Sequence, residues 1–179
     1  MIKNIKASIR ARLLNIAKAS QRDFNAVLLQ YFQERFLYRL SISPFSDNLI
    51  LKGALLFIVN KIPLERPTKD IDFLGYHLSN NTENIRNAIK SIISIKADDG
   101  VTYDPGSIAI DTITEESKYN GYRVNFVGQL GQARKRLQLD IGFGDKIIPE
   151  SYQIEFPTFL NQPAPEIKVY SIESAIAVL

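Results

Sequence analysis

The sequence predicts an α+β fold, with helices at the N-terminus and a sheet built largely from the second half of the chain. Three observations carry this. Apolar residues recur every three or four positions as far as Leu40. Short apolar runs then alternate with glycine, proline and one more helical stretch. After Asp98-Asp99-Gly100 the pattern changes to period two, that of a half-buried strand. At 179 residues, 45% hydrophobic and 23% charged, the chain suits one globular domain spanning 1–179, with 1–45 as a helical segment.

The elements run in this order. Ile2, Ile5, Ile9, Leu13 and Ile16 form the stripe of a first amphipathic helix, while Lys3, Lys6 and Arg10 share another face. A second helix starts after Gln21-Arg22-Asp23 and runs through Phe24, Val27, Leu28, Tyr31 and Phe32 towards Leu37 and Leu40, apolar on a broad face. Ser43-Pro44 stops it, because proline lacks the amide hydrogen and restricts its predecessor. Leu49 to Phe57 reads as a short strand or turn entering a helix at Gly53, and Pro63 and Pro67 interrupt the chain beyond it. Lys69 to Leu74 is a short buried strand ending at Gly75, and Tyr76 to Asn81 a polar loop. Ile85, Ile89, Ile92 and Ile93 mark a helix closing near Lys96. Three strands then form an antiparallel meander: Ser107 to Thr114, Tyr122 to Leu130 and Arg136 to Phe143, the last two separated by Gly131-Gln132. Tyr152 to Phe156 adds another, and Pro157, Pro163 and Pro165 make an extended connection. Ser171 caps a final helix, 171–179, that stops after about two turns without a polar or glycine end signal, so the chain is expected to be truncated there.

Composition narrows the chemistry. With no cysteine, disulfides and thiolate metal sites are excluded, and any metal sits on oxygen ligands or on His77, the single histidine and a loop residue by context. No signal peptide follows Met1 and no apolar run spans a bilayer, which predicts a cytoplasmic protein without membrane contact. A net charge of +3 and a pI near 9.0 are mild. Their distribution is not: Lys3, Lys6, Arg10, Arg12, Lys18 and Arg22 all precede the first acidic residue, Asp23, and offer a phosphate-facing surface.

In Asp70-Ile71-Asp72 the strand period puts both carboxylates on one face and Ile71 on the other. Such a triplet alone reads first as a solvated turn. Its apolar neighbours Ile71, Phe73 and Leu74 argue against that, and Asp140 repeats the situation within Leu137 to Phe143. A buried carboxylate wants a cation or donors, and Mg²⁺ commonly pairs one or two carboxylates with substrate phosphates. The alternative for Asp140 is an ion pair with Arg136 or Arg134. Gly53 before a helix could admit a triphosphate to backbone amides, although a turn glycine is the simpler reading. Arg66 and Lys69, beside the aspartate pair, could neutralise phosphate. No P-loop, dinucleotide or serine-nucleophile pattern occurs, so metal-assisted phosphoryl or nucleotidyl transfer survives.

Those residues carry a family resemblance. Asp23-Phe24, Tyr31, Glu34-Arg35, Leu37 to Ser41, Leu51 to Phe57, Arg66 to Gly75 and Leu139 to Asp145, continued by Phe156 to Leu160, Pro163-Ala164-Pro165 and Tyr170 to Ser174, resemble the AbiEii/AbiGii toxin family of nucleotidyltransferases. The resemblance implies a DNA polymerase β-like fold with a mixed twisted sheet on which the N-terminal helices pack. It implies a nucleoside triphosphate substrate, Mg²⁺, a DNA-binding antitoxin and, for some relatives, tRNA as acceptor. Asp70 and Asp72 would be paired metal ligands and Asp140 the third catalytic carboxylate. Gly53, flanked by Lys52 and Ala54, would open the nucleotide-binding helix, with Arg66 and Lys69 nearby. Two departures stand out. Gly53-Ala54 replaces the Gly-Gly or Gly-Ser of relatives, and the chain ends at Val178-Leu179 where relatives continue through Glu-Lys into a further helical domain. That keeps an alternative open: an inactive remnant that binds RNA or protein through the basic N-terminal helix. Independently of which reading holds, the apolar end Ala175 to Leu179 offers a surface for oligomerisation.

Overall fold

A computed structural model describes residues 4–59, 68–114, 120–143 and 151–170. Arg66 and the predicted helix over 171–179, with its apolar end, lie outside the described residues.

Helix α1 (Ile5–Ser20) starts where the Asn4 side chain accepts the Ala7 amide hydrogen, and ends at Gln21 in the left-handed region. It buries Ile9, Leu13 and Ala17, whereas Ile5 remains 38% exposed. Helix α2 (Phe24–Ser41) is capped by Asp23, which accepts from the Ala26 amide. From Tyr31 to Leu40 it is buried nearly all round, and this forces its charges to find partners. Arg39 makes a two-pronged pair with Asp99, at 2.8 and 3.0 Å, and donates to the carbonyls of Arg35, Ile95 and Val101. Glu34 accepts from Arg35 and from the Phe159 amide, while Arg35 donates to the Pro163 carbonyl. These bonds tie α2 to the 95–101 and 159–163 loops. Sequence motifs that travel with the family resemblance, Glu34-Arg35 and Arg39, thus serve as internal scaffolding.

The remaining elements are β1 (Leu49–Lys52), α3 (Leu55–Val59), β2 (Asp70–Gly75), α4 (Thr82–Ile93), β3 (Val101–Tyr103), β4 (Ala109–Thr114), β5 (Asn120–Leu130), β6 (Ala133–Gly142), β7 (Ser151–Glu155) and β8 (Glu166–Tyr170). They build one mixed sheet in the order β3-β5-β6-β2-β1-β8-β7, with β4 pairing the first half of β5. The predicted meander is β4-β5-β6. Strands β3 and β8 go beyond the sequence reading: three residues are too few to show a period, and β8 follows directly on prolines. β2 joins β6, and β1 joins β8, in parallel.

Alternation along the strands sorts the side chains onto two faces. Ile71, Phe73, Leu137, Leu139, Ile141, Val124 and Phe126 point to the helix side and are buried. There Phe36 of α2 packs its ring against Phe73, Phe126 and Tyr103. Asp70, Asp72 and Asp140 project from the opposite face.

Candidate active site

Register brings the acidic residues together. Asp72 is the direct neighbour of Asp140 across the parallel β2–β6 pair, and Asp70 sits one pleat away, opposite Gln138. The row continues on both sides. Lys52 faces Asp72 from β1, Arg123 faces Asp140 from β5, and Asp111 faces Arg123 from β4. Five adjacent strands therefore carry Lys52, Asp72, Asp140, Arg123 and Asp111 in line, with cations and carboxylates interleaved.

The carboxylates differ in environment. Burial, together with the charges of Asp140 and Asp70, pushes the Asp72 carboxyl up to about 6, against the opposing pull of Lys52 and Arg123. Asp70 is raised too, by burial and then by Asp140. Asp140 is held by Arg123, whose Nε and Nη2 donate to its two oxygens at 3.0 and 3.1 Å, and the Gln138 amide stands 3.5 Å from one of them. This corrects the alternative partners read from sequence. Arg136 and Arg134 share the strand and face of Asp140 but lie about 13 and 20 Å along it at ~3.3 Å per residue, whereas Arg123 is directly across.

Gly53 is required on two counts. Its φ of +76° is a left-handed conformation, and a Cβ there would overlap Asp72 Oδ2 and stand 2.9 Å from Asp72 Cβ. The turn into α3 is thereby pressed against the most perturbed carboxylate of the row. Ala54 follows at the entry to α3, a helix of five residues. Lys52 reaches over the row, since a Cβ on Gly142 would lie 3.3 Å from its Nζ. Lys69 is exposed and its charge is felt at Asp70. His77 lies in the loop after β2, stacked on Tyr76 away from the row.

A hard divalent ion such as Mg²⁺ takes oxygen ligands, and Asp70, Asp72 and Asp140 fit it in chemistry and in register. Their present rotamers do not converge: among the described residues no three His, Cys, Asp or Glu side chains are placed to hold a metal ion. Both Asp140 oxygens accept from Arg123 instead, so a cation that draws in all three carboxylates meets one already engaged by a guanidinium. No helix among the described residues is long and apolar enough to cross a membrane.

Comparison with known proteins agrees with this architecture. No curated protein matches the chain. Two solved structures from Helicobacter pylori share its fold. One is a candidate nucleotidyltransferase, with a TM-score of 0.50 and 19% identity, covering 86% of this chain and 56% of that one. The other is JHP933, with a TM-score of 0.53 and 18% identity, covering 87% and 56%. The chain spans little more than half the length of either. A family model described as the nucleotidyl transferase AbiEii toxin of type IV toxin–antitoxin systems matches residues 35–177. The chain, a mixed sheet bearing an aspartate row beneath a glycine turn, belongs to the AbiEii family of nucleotidyltransferase toxins.

Proposed function

We propose that this chain carries the metal- and nucleotide-binding part of an Mg²⁺-dependent nucleotidyltransferase that moves a nucleotide from a nucleoside triphosphate onto an RNA acceptor such as tRNA. The observation that carries the reading is the in-register pair Asp72 and Asp140, with Asp70 one pleat away, on the sheet face opposite the one that packs against α2. In such a transfer the acceptor hydroxyl attacks the α-phosphorus, its proton leaves, and pyrophosphate departs. Bound Mg²⁺ would neutralise phosphate charge and lower the pKa of the attacking hydroxyl. Asp70 and Asp72 would hold it beside the triphosphate. Asp140 would face the acceptor hydroxyl. Gly53 keeps the chain close enough to Asp72 for the phosphates to lie over the turn, and Lys52 and Lys69 supply positive charge on either side.

The acceptor's phosphates would find charge on the same face at Arg136 and Arg134, and past the end of the sheet at Lys6 and Arg10. Arg136 and Arg134 are exposed and continue the β6 row away from Asp140, and Lys6 and Arg10 of α1 lie beside the turn where β6 begins. A toxin of this family works with an antitoxin, and the cytoplasm holds both nucleotides and RNA.

Titration of Mg²⁺-triphosphates into the protein tests the reading, together with transfer of an α-labelled nucleotide to RNA. Binding by the wild type that is lost in Asp70→Asn/Asp72→Asn supports it. Equal affinity in both proteins overturns it.

A further inference from the structure

Arg123 grips another member of the charged row with both ends of its guanidinium fork. It donates to both oxygens of Asp140 and lies in the field of Asp70 and Asp111 as well. The pair is not locked away: the Arg123 side chain is 44% exposed and Asp140 20%. That contrasts with Arg39–Asp99, where both partners are buried and further carbonyls fix the arginine. A two-pronged charge-assisted bond is strong for its kind, yet an exposed pair is screened and exchanges partners at small cost. Arg123 is therefore built to hold Asp140 and to let it go.

We propose that Arg123 is a positioning residue that competes with the divalent cation for Asp140, so that it sets the cation concentration the site requires. The inference rests on the metal site of the proposed function, and it has a consequence opposite in sign to that of a mere anchor. If Arg123 only oriented Asp140, its removal would loosen a ligand and weaken cation binding. As a competitor, its removal leaves Asp70, Asp72 and Asp140 facing only Lys52 within the row, and cation binding tightens.

Calorimetric titration of Mn²⁺ without nucleotide reads the sign directly. Wild type, Arg123→Gln, Arg123→Lys and Asp72→Asn are compared, with thermal melts to establish that each is folded. Expected are wild-type binding that Asp72→Asn abolishes, affinity in Arg123→Gln higher by about three- to tenfold, and an intermediate value in Arg123→Lys, which keeps the charge but not the fork. Unchanged or weaker binding in Arg123→Gln, with wild-type binding still dependent on Asp72, overturns the competition and leaves the nucleotidyltransferase reading standing. Absence of Mn²⁺ binding in both wild type and Arg123→Gln, or binding that survives Asp72→Asn, overturns both.

Discussion

Gly53 presses on Asp72 so closely that only a hydrogen fits between them: a Cβ would overlap Asp72 Oδ2 and lie 3.0 Å from Asp72 Cγ. The glycine also holds φ +76°, which costs an L-residue about 1 kcal/mol or more. Gly53→Ala is therefore expected to destabilise the fold by about 1–4 kcal/mol and to displace the Asp72 carboxylate. Urea denaturation measures the first effect. Loss of triphosphate binding in protein that remains folded measures the second.

Asp72 makes stability depend on pH in a direction unusual for a carboxylate. Its folded value, about 6, lies above its ordinary 3.8, so the native state binds the extra proton. The stability this group contributes is fully present below pH ~4 and is lost as pH rises through ~6. Asp72→Asn is expected to be more stable than wild type by about 1–3 kcal/mol at pH 7.5, the gap closing towards pH 4. Paired denaturation curves at several pH values check it. A gap that widens on acidification would contradict the raised carboxyl.

The Arg39–Asp99 pair predicts a different behaviour, because both partners are buried and no solvent replaces a lost one. Arg39→Met strands a buried carboxylate and is expected to cost about 3–5 kcal/mol. Adding Asp99→Leu removes the stranded charge and recovers part of that loss, although the Val101 amide then loses its acceptor. Urea midpoints of the two single variants and the double variant separate these outcomes.

Local pattern encodes some of this architecture and cannot encode the rest. The strand Asp70 to Gly75 and the meander are visible because alternation is a property of neighbouring residues. Arg123 is within reach of the sequence as well: a two-residue turn at Gly131-Gln132 pairs Leu130 with Ala133, and counting outward puts Arg123 opposite Asp140. Arg136 and Arg134 are nearer in sequence, but no strand geometry brings them to Asp140. The parallel register of Asp72 with Asp140 has no such marker. Parallel strands are joined by long crossovers, and nothing near Asp72 encodes which residue far along the chain becomes its neighbour. The same holds for Arg39, whose partner lies 60 residues away. Its burial reflects the 95–101 loop and β3 folding over that end of α2, whereas a charged residue in a helix reads as solvated.

Arg134 and Arg136 test the acceptor part of the proposal. Both are exposed on the face of β6 that carries Asp140, and among the described residues no side-chain hydrogen bond ties them down as Asn25 ties Lys135. If they receive an RNA backbone, each phosphate contact releases counterions, and affinity falls with salt by a slope of about 0.7 per contact for a single strand. Replacing both by Gln is expected to weaken RNA binding about 10-fold or more at low salt and to lower the slope of log affinity against log salt by about 1–1.5. Mg²⁺-triphosphate binding at the aspartate row should remain, since these arginines lie beyond the reach of Asp140. Filter binding across a salt series reads both quantities. An unchanged slope would place the acceptor on another surface, and loss of triphosphate binding along with RNA binding would show that the substitutions disturb the sheet rather than a docking track.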